Sequence, residues 1–128
     1  MVSRAELEII ALSMPEAQGK SHFGQPDFRV RNKIFANLAR EGTIACLKVP
    51  SRLQVGLLST RPEVFQAAGG AWGRSGWTYV QLSGVKLAEL RTLVRDSWRL
   101  VAPKALAAEH ENRSAVRRAS SSPTRRRR

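Results

Sequence analysis

Residues 86–106 read KLAELRTLVRDSWRLVAPKAL. Apolar side chains recur in it at the spacing of one helical face, at Leu87, Leu90, Val94, Trp98 and Val101. Charged side chains fill the opposite face, so the pattern predicts a long amphipathic helix that packs on a core. Pro103 is expected to end this helix because proline has no N–H to continue it.

The residues that precede this helix predict a strand and a glycine-rich connection. In GWTYVQL (76–82), Trp77 and Tyr79 alternate with Thr78 and Val80, which is the period of a strand. We expect Trp77 to be a core residue. In GGAWGRSG (69–76), the glycines suit a flexible or tightly turned connection. Its Trp72 and Arg74 belong either to a wing tip that contacts a ligand or to a structural turn.

Three more strands and two more helices are predicted toward the N-terminus. SRLQVGLLST (51–60) has helical spacing, and TIACLKV (43–49) reads as an interior strand with Cys46 as a small buried side chain. PDFRVRNKIFANL (26–38) reads as two strands joined by a tight turn at 31–32 or 32–33. In the second of these strands, Phe35 falls on the face opposite Ile34, Ala36 and Leu38. Ser3 and Glu6 form a capping box at the start of the first helix.

This order of elements predicts an α+β fold, in which an antiparallel sheet carries helices on one face. The other face of the sheet would then be available for binding. We expect residues 1–108 to form this domain. Residues 109–128 are rich in charge and poor in apolar side chains, so we expect them to be a disordered, arginine-rich tail.

The charge balance is strongly basic, with 22 Lys and Arg against 10 Asp and Glu and a formal net charge of +12. From Glu109 onward there are seven arginines and two glutamates, a net of +5, so the first 108 residues carry the remaining +7. Both parts are therefore suited to a polyanionic partner such as nucleic acid.

The inventory of reactive side chains is poor. Cys46 is the only cysteine, and His22 and His110 are the only histidines, so no zinc spacing or nucleophile–base set is visible. We predict that the protein is not an enzyme and has no cofactor or metal. His22 is more readily a packed or surface residue than part of a pocket. The sequence has no signal peptide or membrane-spanning run, so we expect a cytoplasmic protein. The sequence does not determine the oligomeric state, and a monomer is the default expectation.

Several segments resemble the MmcQ/YjbR family of small bacterial proteins, over about residues 3–108. They are HFGQPDFRVRNKIFANL (22–38), PEVF (62–65), GWTYVQL (76–82) and, most specifically, SWRLVAPKAL (97–106). The resemblance implies a frataxin/CyaY-like α+β fold in a double-wing arrangement, for which DNA binding is proposed. The fold also raises iron binding as a rival. The first helix offers only Glu6, Glu8 and Glu16 in a basic chain, so we reject that function.

We therefore predict a protein that binds DNA or RNA nonspecifically through phosphate contacts. The candidate contact residues lie on predicted strands and turns, on the glycine-rich connection and in the tail: Arg29, Arg31, Lys33, Arg40, Lys48, Arg52, Trp72, Arg74, Arg125, Arg126, Arg127 and Arg128. The alternative is a non-enzymatic module that recognises another protein or a small ligand through the open sheet face and the region of His22.

Overall fold

Six antiparallel strands form one sheet in the computed structural model, which describes residues 2–22, 24–39 and 42–120. The strands are β1 (Ala17–His22), β2 (Gln25–Val30), β3 (Lys33–Ala39), β4 (Ile44–Lys48), β5 (Phe65–Ala67) and β6 (Trp77–Gln81). The helices are α1 (Arg4–Leu12), α2 (Ser51–Thr60), α3 (Gly70–Arg74), α4 (Leu87–Val101) and α5 (Lys104–Ser120). The strand order β1-β2-β3-β4-β6-β5 places β4 inside the sheet, and the predicted α+β class is confirmed.

One face of the sheet, here called the covered face, carries the core. Register pairs on this face join apolar residues across neighbouring strands, as in Phe28 with Ala36, Leu38 with Ala45 and Val80 with Phe65. All six side chains are buried. The stripe predicted on α4 packs against β3 and β4. Burial of such apolar surface is the main stabilising contribution to the fold.

A bulge in the β2–β3 ladder corrects the predicted orientation of Phe35. The register advances by one residue on β2, from Phe28 to Arg29, but by two residues on β3, so Phe35 is the extra residue. Phe35 and Ala36 are both buried, whereas strict alternation places Phe35 on the other face. Ser97 of α4 stabilises this region, since its hydroxyl donates to the Phe35 carbonyl and accepts from the Lys48 N–H at 2.9 Å.

The predicted local signals at α1 and at the β2–β3 turn are confirmed. The Ser3 hydroxyl accepts from the Glu6 N–H at 3.2 Å, and the Ser3 N–H donates to the Glu6 carboxylate at 2.9 Å. These hydrogen bonds lower the pKa of Glu6. Arg31 and Asn32 both have positive φ, at 51° and 68°, as a two-residue type I′ turn requires. Strand β1 is not predicted, because AQGKSH contains no Phe, Tyr, Trp or β-branched residue.

Helix α5 corrects the prediction of disorder for the first part of the tail. The helix runs to Ser120, beyond the predicted boundary at Ala108. Leu106 is buried in the core, and Glu111 pairs with Arg99 of α4 at 2.9 Å. The His110 ring lies edge-on to the buried Trp98, with 5.1 Å between centroids. These contacts hold the first half of α5, as far as Glu111, against the domain. The division into a domain and a tail stays a prediction, and residues 121–128 lie outside the described part of the chain.

Candidate nucleic-acid interface

The second face of the sheet, here called the open face, forms a groove of about 770 Å³. Strand alternation supplies its floor, because Asn37, Cys46 and Tyr79 are register partners on β3, β4 and β6. One end of the groove is bounded by the β5–α3 connection and by Trp72. The groove therefore lies where the predicted fold leaves the sheet uncovered.

Among the described residues, three cationic side chains line this groove, those of Arg29, Lys33 and Lys48. No Asp or Glu is among the described residues that line it. Among the described residues, Lys33 and Lys48 have no carboxylate within ion-pair distance. The surface is therefore electropositive and able to accept phosphate groups.

Arg29 is held in place by its neighbours. Its guanidinium donates to both oxygens of Asp27, at 2.9 and 3.2 Å, and to the amide oxygen of Asn32 at 3.3 Å. The Asp27 side chain is 2% exposed, so the carboxylate of this ion pair is shielded from water. The hydrogen bonds that Arg29 donates to Asp27 raise the pKa of Arg29. Arg29 is thus a fixed cation whose charge is partly balanced, in contrast to Lys33 and Lys48.

Aromatic side chains complete the groove and correct the prediction for Trp77. Trp77 pairs in register with Lys48 on the open face and is only half-buried, so it is not a core residue. Trp72 is 67% exposed and meets Trp77 edge-to-face, with 6.3 Å between ring centroids and 71° between the planes. Tyr79, in phase with Trp77, is 39% exposed. Three aromatic rings therefore stand beside the lysines.

The Trp72–Trp77 pair is positioned by a buried amide on α2. The Gln54 side-chain nitrogen donates to the Gly73 carbonyl at 3.0 Å and to the Thr78 hydroxyl at 3.0 Å. It also lies 3.4 Å from the Trp77 carbonyl. One buried group thus joins α3 to the start of β6, and so fixes the two tryptophans relative to each other.

Two glycines make this close packing possible. A Cβ on Gly73 would lie 2.1 Å from the Ala68 carbonyl oxygen, and one on Gly76 would lie 2.3 Å from the Val49 carbonyl oxygen. Gly76 also has a φ of 106°, which other residues rarely adopt. The glycine-rich connection predicted from the sequence is therefore a short helix with a tight exit, and Trp72 is held on it.

Cys46 lies in the floor of the groove but is 7% exposed, which confirms the prediction of a small buried side chain. Burial raises the pKa of its thiol to about 11. The thiolate is therefore disfavoured at neutral pH, and the residue is suited to packing rather than to nucleophilic chemistry.

The remaining predicted contact residues do not line the groove. Arg31 at the β2–β3 turn is paired with Glu16, whose pKa is lowered by the hydrogen bonds from Arg31. Arg52 lines a different groove, formed by α2, α4 and α5. Arg74 is exposed at the end of α3 but is not among the residues that line the open face. Arg40, Arg125, Arg126, Arg127 and Arg128 lie outside the described residues.

The predicted set therefore separates into two groups. Arg29, Lys33, Lys48 and Trp72 share one surface, and the other described members of the set do not. Sequence reasoning missed Tyr79 and misplaced Trp77. The alternation that puts Thr78 and Val80 in the core contained the signal for both, since it places residues 77 and 79 on the opposite face.

The described residues contain no group of three His, Cys, Asp or Glu side chains that could hold a metal ion. Two of the acidic residues weighed for iron binding are in ion pairs, Glu8 with Arg4 and Glu16 with Arg31. The backbone of His22 pairs with Gln25 at the edge of the sheet. No helix in the described part of the chain is both long and apolar enough to cross a bilayer.

Comparison with known proteins identifies the family. The YjbR family model matches residues 12–100, which include all six strands and most of α4. The chain belongs to the YjbR family. This assignment confirms the resemblance seen in the sequence, and YjbR is not a known family of enzymes.

The fold of this YjbR-family chain is similar to that of a solved structure. The crystal structure of Deinococcus radiodurans protein DR2400, which contains a DUF419 domain, superimposes with a TM-score of 0.69. The two sequences are 23% identical, and the match covers 79% of each chain, so this likeness shows the fold alone. No curated protein matches the chain significantly.

Proposed function

We propose that this YjbR-family domain is a non-catalytic nucleic-acid-binding module that contacts phosphates through the open-face groove. The observation that carries this proposal is the groove itself. It is lined by Arg29, Lys33 and Lys48, and no acidic side chain is among its described lining residues. The formal net charge of +12 would also attract a polyanion to the protein before any specific contact forms.

The two lysines are expected to supply most of the phosphate contacts in the groove. Lys33 is exposed and Lys48 is half-buried, and neither has a carboxylate partner among the described residues. A phosphate group can therefore bind to either lysine without breaking an ion pair of the described residues. Arg29 would contribute less, because Asp27 and Asn32 already occupy its guanidinium.

The C-terminal arginines are proposed to add affinity without selectivity. Residues 125–128 are four consecutive arginines, which can neutralise phosphates on any nucleic acid. Replacing all four by glutamine in the full chain should weaken binding at low salt. The contribution of the groove lysines should persist in that variant.

The proposal is tested by the salt dependence of binding. The full-length chain is titrated into fluorescein-labelled DNA at several salt concentrations, and affinity is read from anisotropy. The double variant Lys33→Gln/Lys48→Gln should lower the magnitude of the log–log salt slope by about 1.4 to 1.8, since each phosphate contact contributes about 0.7 on single strands and 0.9 on duplex DNA.

The matched control is Arg91→Gln/Arg95→Gln, which removes the same charge from the exposed side of α4. Neither arginine is among the residues that line the groove. This control should change the slope by less than half as much. Equal changes in the two double variants would show that binding depends on the net charge of the protein and not on the groove. Absence of salt-dependent binding by the wild-type chain would refute it.

A further inference from the structure

We infer that the open-face groove binds single-stranded nucleic acid, with an unpaired base stacked on Trp72 and the adjoining phosphates on Lys33 and Lys48. This inference rests on the proposed function and specifies its substrate class. The observation behind it is the place of the aromatic side chains. Trp72, Trp77 and Tyr79 line the same groove as the two lysines.

Trp72 does not contribute to the core. It is 67% exposed, on a five-residue helix between the edge strand β5 and β6. Its packing partner is Trp77, which is itself half-buried on the open face. A single exposed apolar residue is common on protein surfaces, but Trp72 is one of three rings that line one groove, and such a contiguous patch commonly marks a binding surface. Beside cations, the ligand that fits such a ring is one with flat unsaturated faces and negative charge.

The ring is also held in a fixed position before any ligand binds. The edge-to-face contact with Trp77 restricts the indole, and Gln54 joins the backbones on which both tryptophans lie. The lack of space for a Cβ at Gly73 shows how closely α3 packs on the β5–α3 connection. A stacking platform that is already ordered loses little conformational entropy on binding.

These features favour a single strand over a duplex. In the interior of duplex DNA, both faces of a base are covered by its neighbours, so an aromatic side chain can stack there only if a base leaves the helix or two base pairs separate. Phosphate contacts alone would need the lysines but not the three rings. The groove, at about 770 Å³, is in the size range that holds a small organic ligand, so a few nucleotides would fill it.

The test measures three probes with the full-length chain at low salt: a short labelled single strand, the blunt duplex of the same sequence, and a mononucleotide. Binding is compared for wild type, Trp72→Ala and Trp72→Phe. The control is Val55→Ala on α2. Val55 is also an exposed apolar residue, but it is not among the residues that line the groove. Thermal melting of each variant shows whether the fold is retained.

Trp72→Ala should weaken single-strand binding by about 5- to 150-fold, the range found for loss of one stacked base. Duplex binding should change by less than about 2-fold, and Trp72→Phe should restore most of the lost affinity because it keeps an aromatic face. Val55→Ala should bind as wild type does. The mononucleotide should bind far more weakly than the strand, since it offers fewer phosphates to the lysines.

The outcomes separate this inference from the proposed function. If duplex and single strand bind alike and Trp72→Ala weakens both equally or neither, the single-strand inference is wrong while the proposed function stands. If neither nucleic acid binds in a salt-dependent way, the proposed function itself fails. A mononucleotide that binds as tightly as the strand would overturn the inference in favour of a small-ligand site.

Discussion

The two faces of the sheet are built by the same strands but meet different requirements. On the covered face, Leu47 and Val80 are buried beneath the helices. On the open face, the neighbouring residues Lys48 and Tyr79 line a groove. Strands β4 and β6 thus each carry a buried core residue next to one that lines the groove. The large aromatic and cationic side chains on the second face are the ones that the proposed binding function uses.

The tryptophans show this difference most directly. Trp98 is fully buried, and its indole N–H donates to the Pro15 carbonyl at 3.0 Å, which joins α4 to the connection between α1 and β1. Trp72 is two-thirds exposed and packs against one ring. The same residue type is therefore structural in α4 and available to a ligand in α3.

The largest expected effect comes from exchanging these tryptophans for alanine. Trp98→Ala should lower the free energy of unfolding by about 3–5 kcal/mol, because it leaves a large cavity in the core. Trp72→Ala should cost about 1 kcal/mol or less, the size of one exposed aromatic pair. Urea denaturation measures both values.

If Trp98→Ala fails to fold, Trp98→Phe can be measured in its place. It keeps most of the buried volume but removes the hydrogen bond to Pro15. It should still destabilise the protein more than Trp72→Ala does. Equal costs at the two positions would mean that Trp72 belongs to the core after all.

The next largest difference in stability is expected between alanine substitutions at Gly73 and at Gly56. Gly73→Ala should destabilise the protein by roughly 1–3 kcal/mol, because the new methyl group would press on the Ala68 carbonyl. It should also weaken nucleic-acid binding, since α3 positions Trp72. Gly56 is helical and has open space around its Cβ direction, so Gly56→Ala should stabilise the protein by about 0.5–1 kcal/mol. Thermal melting together with anisotropy titrations distinguishes the two effects. A neutral Gly73→Ala would contradict the close packing of α3.

The smallest effect is a pH dependence that arises from Cys46. Burial raises the pKa of its thiol from 9.0 to about 11, so the thiol ionises first in the unfolded chain. Its contribution to stability is therefore complete below about pH 9 and is lost as pH rises toward 11. Denaturation midpoints of wild type and Cys46→Ala, compared across this range, isolate the contribution from other groups that titrate there. A difference between them that does not depend on pH would show that the groove floor is open to water.

Much of the fold could be predicted because the covered face follows simple periodicity. The stripe on α4, the capping box at Ser3 and the Arg31–Asn32 turn are all local signals, and each is confirmed. Strand β1 escaped prediction because its pairing with β2, rather than its composition, makes it a strand. Phe35 was misplaced because a bulge breaks the alternation.

The candidate site was harder to predict because it depends on long-range register. Lys33, Lys48 and Trp72 were named individually, but which cations share a surface depends on how β2, β3, β4 and β6 align. The pairing of Arg31 with Glu16 joins positions fifteen residues apart, which no local pattern shows. His110 and Glu111 of α5 likewise contact Trp98 and Arg99 of α4, and no local pattern in the tail shows these contacts.

Occupation of the open face by nucleic acid can be followed through the three indole N–H signals of the chain, by NMR during titration with a short single strand. Trp98 is an internal reference, because its N–H is hydrogen-bonded in the core. The signals of Trp72 and Trp77 should shift with saturation while that of Trp98 stays in place. Binding that leaves Trp72 and Trp77 unmoved would contradict the claim that nucleic acid occupies the open face.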